Sequence, residues 1–192
     1  AGCTTSQLSI NRRFIKNGRT YNAPNPDGFV YRDAPYALFE TAAGEPVCLL
    51  FQGVGHPTAV QAPVISADFP GAAMNALDQR LGRTCSIFLQ GCAGDSRPAN
   101  LVAGDGPGWT VSPDGNRVPV GNAQGIPAWN FDEPDVHIAE AGEQLAREIH
   151  DGMNAKLEPV RECALQSVIV ETHWPLQSPD RAAYEALATT PD

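Results

Sequence analysis

Two short apolar runs with one helical repeat between them limit this chain more than any other feature. The first, "PVCLLFQGVG" over Pro46–Gly55, is closed by glycine; the second is "TCSIFLQ" over Thr84–Gln90. Runs of that length predict buried strands. Between them "SADFPG" offers Ser66 or Asp68 as a helix cap, with Pro70 tolerated in the first turn. Ala73, Leu77 and Leu81 then recur at four-residue spacing, and Gly82 ends the pattern. Strand, helix and strand in succession predict a crossover unit, because parallel neighbours need a connection of this kind. The fold class expected is α/β, a mixed or mostly parallel sheet flanked by helices.

A second helix is expected from about Asp132 to Asp135, with acids at its positive end and Ile138, Ala141, Leu145, Ile149, Met153 and Leu157 along the face that lies on the sheet. Further on, "CALQSVIVETHW" predicts another strand and "SPDRAAYEAL" a short helix. The connection over 99–132 holds six Gly and four Pro in 34 residues, with Trp109, Trp129 and Phe131 embedded. A loop that long is expected to be either a functional lid or disordered, and the three aromatics favour the lid.

Charge and composition exclude several function classes. Residues 1–100 carry eight Lys/Arg against seven Asp/Glu, and residues 101–192 carry five against fifteen, so no basic face for nucleic acid is implied. The longest apolar run, "VCLLF", is far short of the roughly 18 residues of a transmembrane segment. The chain opens "AGCTTSQLSINRR", with no initiator Met and no apolar leader, and reads as a cut end. Five cysteines without a C-x-x-C predict neither a disulfide framework nor a thiolate zinc site, and Cys48 and Cys85, set in apolar runs, are expected to be buried thiols. Compartment and oligomeric state are left open.

Among the four histidines, His137, His150 and His173 are expected in structural roles. His56 follows "LLFQGVG" directly, at a strand end of the kind where open α/β sheets bind ligands, and a neutral imidazole there is a candidate zinc ligand. The second predicted strand runs into "GCAGDSRP", so parallel neighbours would bring His56 and Gly94-Asp95-Ser96-Arg97 to one pocket. The glycines before Asp95 would let the backbone approach closely, turn with positive φ and point amides at a ligand; the simpler alternative is a tight turn capped by Asp95.

"GDS" invites one reading as a serine esterase with Ser96 as nucleophile. That chemistry needs a histidine oriented by an acid, yet no histidine here has Asp three residues before it, and Pro98 replaces the last glycine of G-x-S-x-G. The other reading comes from five segments in order: "LSINRR", "GHPTAV", "ISADFPGAAMNAL", "FLQGCAGDSRPAN" and the helix from Asp132. Together they resemble the N-terminal domain of neutral/alkaline non-lysosomal ceramidases and their bacterial relatives, from about Leu8 to Glu171.

The resemblance implies a zinc-dependent amide hydrolase acting on a small-molecule or lipid N-acyl substrate, with this chain an internal portion of a larger catalytic domain. In that family one zinc is held by two histidines, a glutamate and a tyrosine. His56 matches the second histidine, and the other three ligands are expected outside residues 1–192. Arg12 matches an arginine lining the family's active site. Where those enzymes read Gly-Asp-Val-Ser-Pro with an essential serine, Ser96 takes the valine position and Arg97 the serine position. Arginine donates hydrogen bonds but relays no proton at neutral pH, so Arg97 implies hydrolysis by metal and water without that serine, a clamp for a carboxylate or phosphate on the substrate, or lost activity. Asp95 is expected to hold the turn, with Arg12 or Arg97 beside it. A non-catalytic ceramidase-like domain that binds a lipid or acyl ligand is the alternative from a different class.

Overall fold

The computed structural model describes residues 1–82, 85–103, 109–111, 117–119, 125–160 and 168–172. Two compact units divide the chain, Ala1–Val160 and Arg161–Asp192. The first opens with four strands, β1 (Gly2–Thr5), β2 (Ser9–Lys16), β3 (Arg19–Asn25) and β4 (Asp33–Glu40). Then come β5 (Pro46–Gly53), helix α1 (Asp68–Leu81), β6 (Cys85–Gln90), β7 (Ser96–Pro98) and a 3-10 turn at Ala99–Leu101. A hairpin of β8 (Trp109–Val111) and β9 (Arg117–Pro119) precedes helix α2 (Pro134–Ala155).

The expected crossover is present: β5 and β6 pair in parallel, from Cys48 opposite Cys85 to Gly53 opposite Gln90, with α1 as the connection. The sheet around them is mixed rather than mostly parallel. Its order is β1-β4-β5-β6, and β1/β4 and β4/β5 are antiparallel. A second, antiparallel sheet has the order β3-β2-β7.

One face of the four-stranded sheet is covered by helices. Alternation along β5 turns Leu49 and Phe51 inward, where they join Ala34 and Tyr36 of β4, Phe69, Ala73 and Leu77 of α1, and Leu145, Ile149 and Met153 of α2 in one buried cluster. Phe88 of β6 meets Phe51 and Phe69 edge to face, at centroid distances of 5.7 and 5.9 Å. The same alternation turns Cys48 and Cys85 to the opposite face, so Cys48 is only partly buried and Cys85 is exposed, contrary to the expectation from their apolar neighbours. Ile87 and Leu89 share that outer face and are also exposed.

Helix α1 ends as expected, at Gly82 with φ of +67°. Its start is less ordinary. Ser66 Oγ accepts from the Asp68 N–H, and Asp68, at φ +49°, accepts from Phe69 N at 2.7 Å and Ala59 N at 2.9 Å. Asp68 thereby ties the chain after β5 to the helix. Helix α2 buries Ala141, Leu145, Ile149 and Met153; Leu157 falls beyond its last turn and is exposed. In the second unit, residues 168–172 enter no β-ladder; the rest of the strand expected over 163–174, His173 and the helix expected over 178–187 lie outside the described residues.

Candidate functional site

The ends of β5 and β6 meet β2 through short turns. After β5 the chain runs Val54-Gly55-His56, and a Cβ on Gly55 would sit 2.5 Å from Ser9 Oγ, so only glycine lets this segment cross β2 so closely. Ser9 Oγ donates to the Val54 carbonyl and fixes the crossing. The His56 N–H then donates to the Ser96 carbonyl at 3.1 Å, which fastens the β5 end to β7.

After β6, Ala93–Ser96 forms a tight turn in which Ser96 N donates to Ala93 O at 3.1 Å. Neither Gly91 nor Gly94 adopts positive φ, contrary to the sequence reading. The turn presents a carbonyl rather than amides: Gly94 O accepts from Arg12 Nε and Nη2 at 3.2 and 3.0 Å and from Arg13 Nη2 at 3.3 Å. Strand β7 then pairs with β2, placing Arg97 opposite Ile10 and Ser96 opposite Asn11. Arg12 N donates to Asp95 O at 2.7 Å and extends that ladder by one residue.

This wiring brings Arg12, His56 and the Gly94–Arg97 turn together. Arg12 Nη2 lies 3.2 Å from His56 Nε2. Burial lowers the His56 pKa, and the positive charge of Arg12 lowers it further against the opposing effect of a hydrogen bond to the Ala93 backbone. A neutral ring bonded through one nitrogen to the Ala93 backbone and accepting from Arg12 at Nε2 fits both contacts. Arg12 itself is shifted down, first by burial and then by Arg13, with Asp95 acting the other way.

Ser96 is 0% exposed, and its hydroxyl has no hydrogen-bond partner. Arg97 is 8% exposed, its Nε is unpartnered, and its guanidinium carbon stands 5.3 Å from the ring centres of both Trp129 and Phe131. The Asp95 carboxylate reaches Asn11 Nδ2 at 3.4 Å and, among the described residues, forms no direct ion pair with Arg12 or Arg97.

Two contributors, Asn11 and Arg13, carried no signal of a role in the sequence, and two more, Trp129 and Phe131, showed only as loop aromatics. Asn11, almost fully buried, holds Phe29 O at 2.8 Å and takes the Arg13 N–H on Oδ1 at 2.8 Å, which sets the bend in β2. Arg13 is a second ligand of Gly94 O. Trp129 and Phe131 were visible as aromatics in the long loop, but their target was not. The described end of that loop is firmly tied: Trp129 Nε1 donates to Asn22 O at 3.0 Å, Val102 bridges Trp129, and Asn130 N donates to Leu101 O. Of the remaining histidines, His150 Nδ1 lies 3.2 Å from Asn154, and His137 has a buried, unpartnered Nδ1.

As a metal donor set, the described residues fall short of zinc's requirements. They contain no group of three His, Cys, Asp or Glu able to hold a metal, and Nε2 of the expected ligand His56 is engaged by Arg12. No described helix is long and apolar enough to cross a membrane.

No family model matches the sequence, and no curated protein matches it. Solved structures do. A ceramidase complexed with C2 aligns with a TM-score of 0.53 and 18% identity over 80% of this chain. The neutral ceramidase of Pseudomonas aeruginosa aligns with a TM-score of 0.50, also at 18% identity over 80% of this chain. The chain spans 21% and 22% of those two proteins, respectively. Identity this low speaks for architecture alone and singles out no branch: over 80% of its length the chain has a fold similar to part of a neutral ceramidase.

Proposed function

We propose that this chain forms part of a ceramidase-like hydrolase that cleaves the amide bond of an N-acyl substrate. The observation carrying this reading is the likeness of the fold to a ceramidase, with Arg12, His56 and the Gly94–Arg97 turn gathered at the end of its parallel strand pair. In the reaction the elements of water add across the C–N bond, the hydroxyl going to the acyl carbon and a proton to the departing amine. Arg12 offers guanidinium donors where negative charge develops on the acyl oxygen. His56, held neutral by burial and by Arg12, is an acceptor at that place rather than a second cation.

Zinc dependence enters the proposal through His56, the donor that the family resemblance assigns among the described residues, and the donor set described above supports no step routed through a metal. The engagement of His56 Nε2 by Arg12 favours a second reading, a ceramidase-like domain that binds an acyl ligand without cleaving it. Elemental analysis of zinc in the whole protein, beside release of fatty acid from a panel of acyl amides, separates the two. Bound zinc with turnover supports the hydrolase; ligand affinity with neither zinc nor turnover supports the binder. A serine-esterase reading finds no support at Ser96, whose buried hydroxyl has no base bonded to it.

A further inference from the structure

Three guanidinium groups, Arg12, Arg13 and Arg97, surround one turn whose only carboxylate is Asp95. Two of them are satisfied by a neutral carbonyl, that of Gly94. Arg97 is not. More than nine-tenths buried, it has two aromatic rings beside it, an Nε with no acceptor, and no carboxylate partner among the described residues. A buried charge left without a counter-ion is expensive, and contact with aromatic rings offsets only part of that. Acids are plentiful in this chain, whose net charge is −9, yet among the described residues none pairs with Arg97. Burial and the nearby Arg12 also push its pKa down, which is what a cation lacking its anion experiences.

We propose that the Arg97 slot binds an oxyanion, a carboxylate or phosphate, on the head group of the amide substrate. The planar fork of arginine matches two oxygens of such a group, and rings packed against it fix the fork before the ligand arrives. Ties from Trp129 to Asn22 and Val102 make the slot a built feature of the fold. The proposal rests on the hydrolase reading for calling the ligand a substrate; the slot itself does not depend on it.

Three dodecanoyl amides sharing one acyl chain test this on the whole protein: N-dodecanoylglycine, N-dodecanoylethanolamine phosphate and uncharged N-dodecanoylethanolamine. Binding is read by stopped-flow tryptophan fluorescence at low and high salt, and turnover by dodecanoate release. At least one anionic amide should bind about tenfold or more tighter than the uncharged one, as expected for a hydrogen-bonded charge pair. High salt should shrink that advantage, and the tighter arm tells carboxylate from phosphate. Arg97→Gln should erase it, and Arg97→Lys should restore only part. If Arg97→Gln does not fold, Trp129→Leu, which keeps the charge but removes a supporting ring, should still narrow the preference. Equal binding of all three amides, or a preference that survives Arg97→Gln, would overturn the proposal. Anion preference without turnover of any amide would sink the hydrolase reading and leave the slot standing. Turnover of the uncharged amide with no anion preference would do the reverse.

Discussion

Ser96 carries a hydroxyl that is wholly buried and bonded to nothing, at the centre of the motif that most resembles a serine esterase. An unsatisfied buried hydroxyl stabilises nothing, so Ser96→Ala is expected to leave the unfolding free energy unchanged or raise it by up to about 1 kcal/mol, measured by urea denaturation. A large loss would mean that the hydroxyl is bonded after all. Asp68 is the opposite case. Its carboxylate accepts backbone N–H bonds from two segments while the residue holds φ of +49°. Asp68→Ala should lower stability by about 2 kcal/mol, and Asp68→Asn by less, because Asn tolerates that backbone region and keeps one acceptor. Ala proving no worse than Asn would refute this account of the helix start. At this scale the sequence revealed where Arg12, His56 and Ser96 stand along the chain. Which of them faces a neighbour was hidden, because it depends on a strand register set by residues more than eighty positions away.

The β5-α1-β6 unit was legible because each of its parts is defined locally, by an apolar run or a four-residue repeat. Strands β1 to β4 were not. Pro24 in β3 and Pro35 in β4 argue against strands, and Arg12 and Arg13 interrupt any apolar alternation in β2. These strands exist through pairing with partners distant in sequence, as when Gly2 meets Tyr36, and no local pattern records that. The helix pair shows a similar dependence. A Cβ on Gly142 would lie 2.4 Å from Ala72 Cβ and 2.9 Å from Ala73 N, so α2 touches α1 at a point where no side chain fits. Gly142→Ala gains helix propensity, worth up to about 1 kcal/mol. It should nonetheless destabilise the protein by about 1–3 kcal/mol overall, because the helices must separate. A raised melting temperature would contradict that packing.

At the level of the whole molecule, the ceramidase-like architecture anticipated from five scattered motifs is present over 80% of the chain, while the zinc those motifs imply rests on a single histidine. Architecture follows from burial patterns that survive at 18% identity. A metal site depends on a few donors whose arrival from distant segments no local pattern records. Whether Arg12 and His56, rather than Ser96, form the working end of this fold turns on the rate of dodecanoate release from an acyl amide by the whole protein, comparing His56→Ala with Ser96→Ala. His56→Ala should lower the rate at least about a hundredfold with its unfolding midpoint unchanged, and lose any zinc the parent binds, while Ser96→Ala should keep the parent rate. A fully active His56→Ala, or an inactive but folded Ser96→Ala, would contradict that assignment.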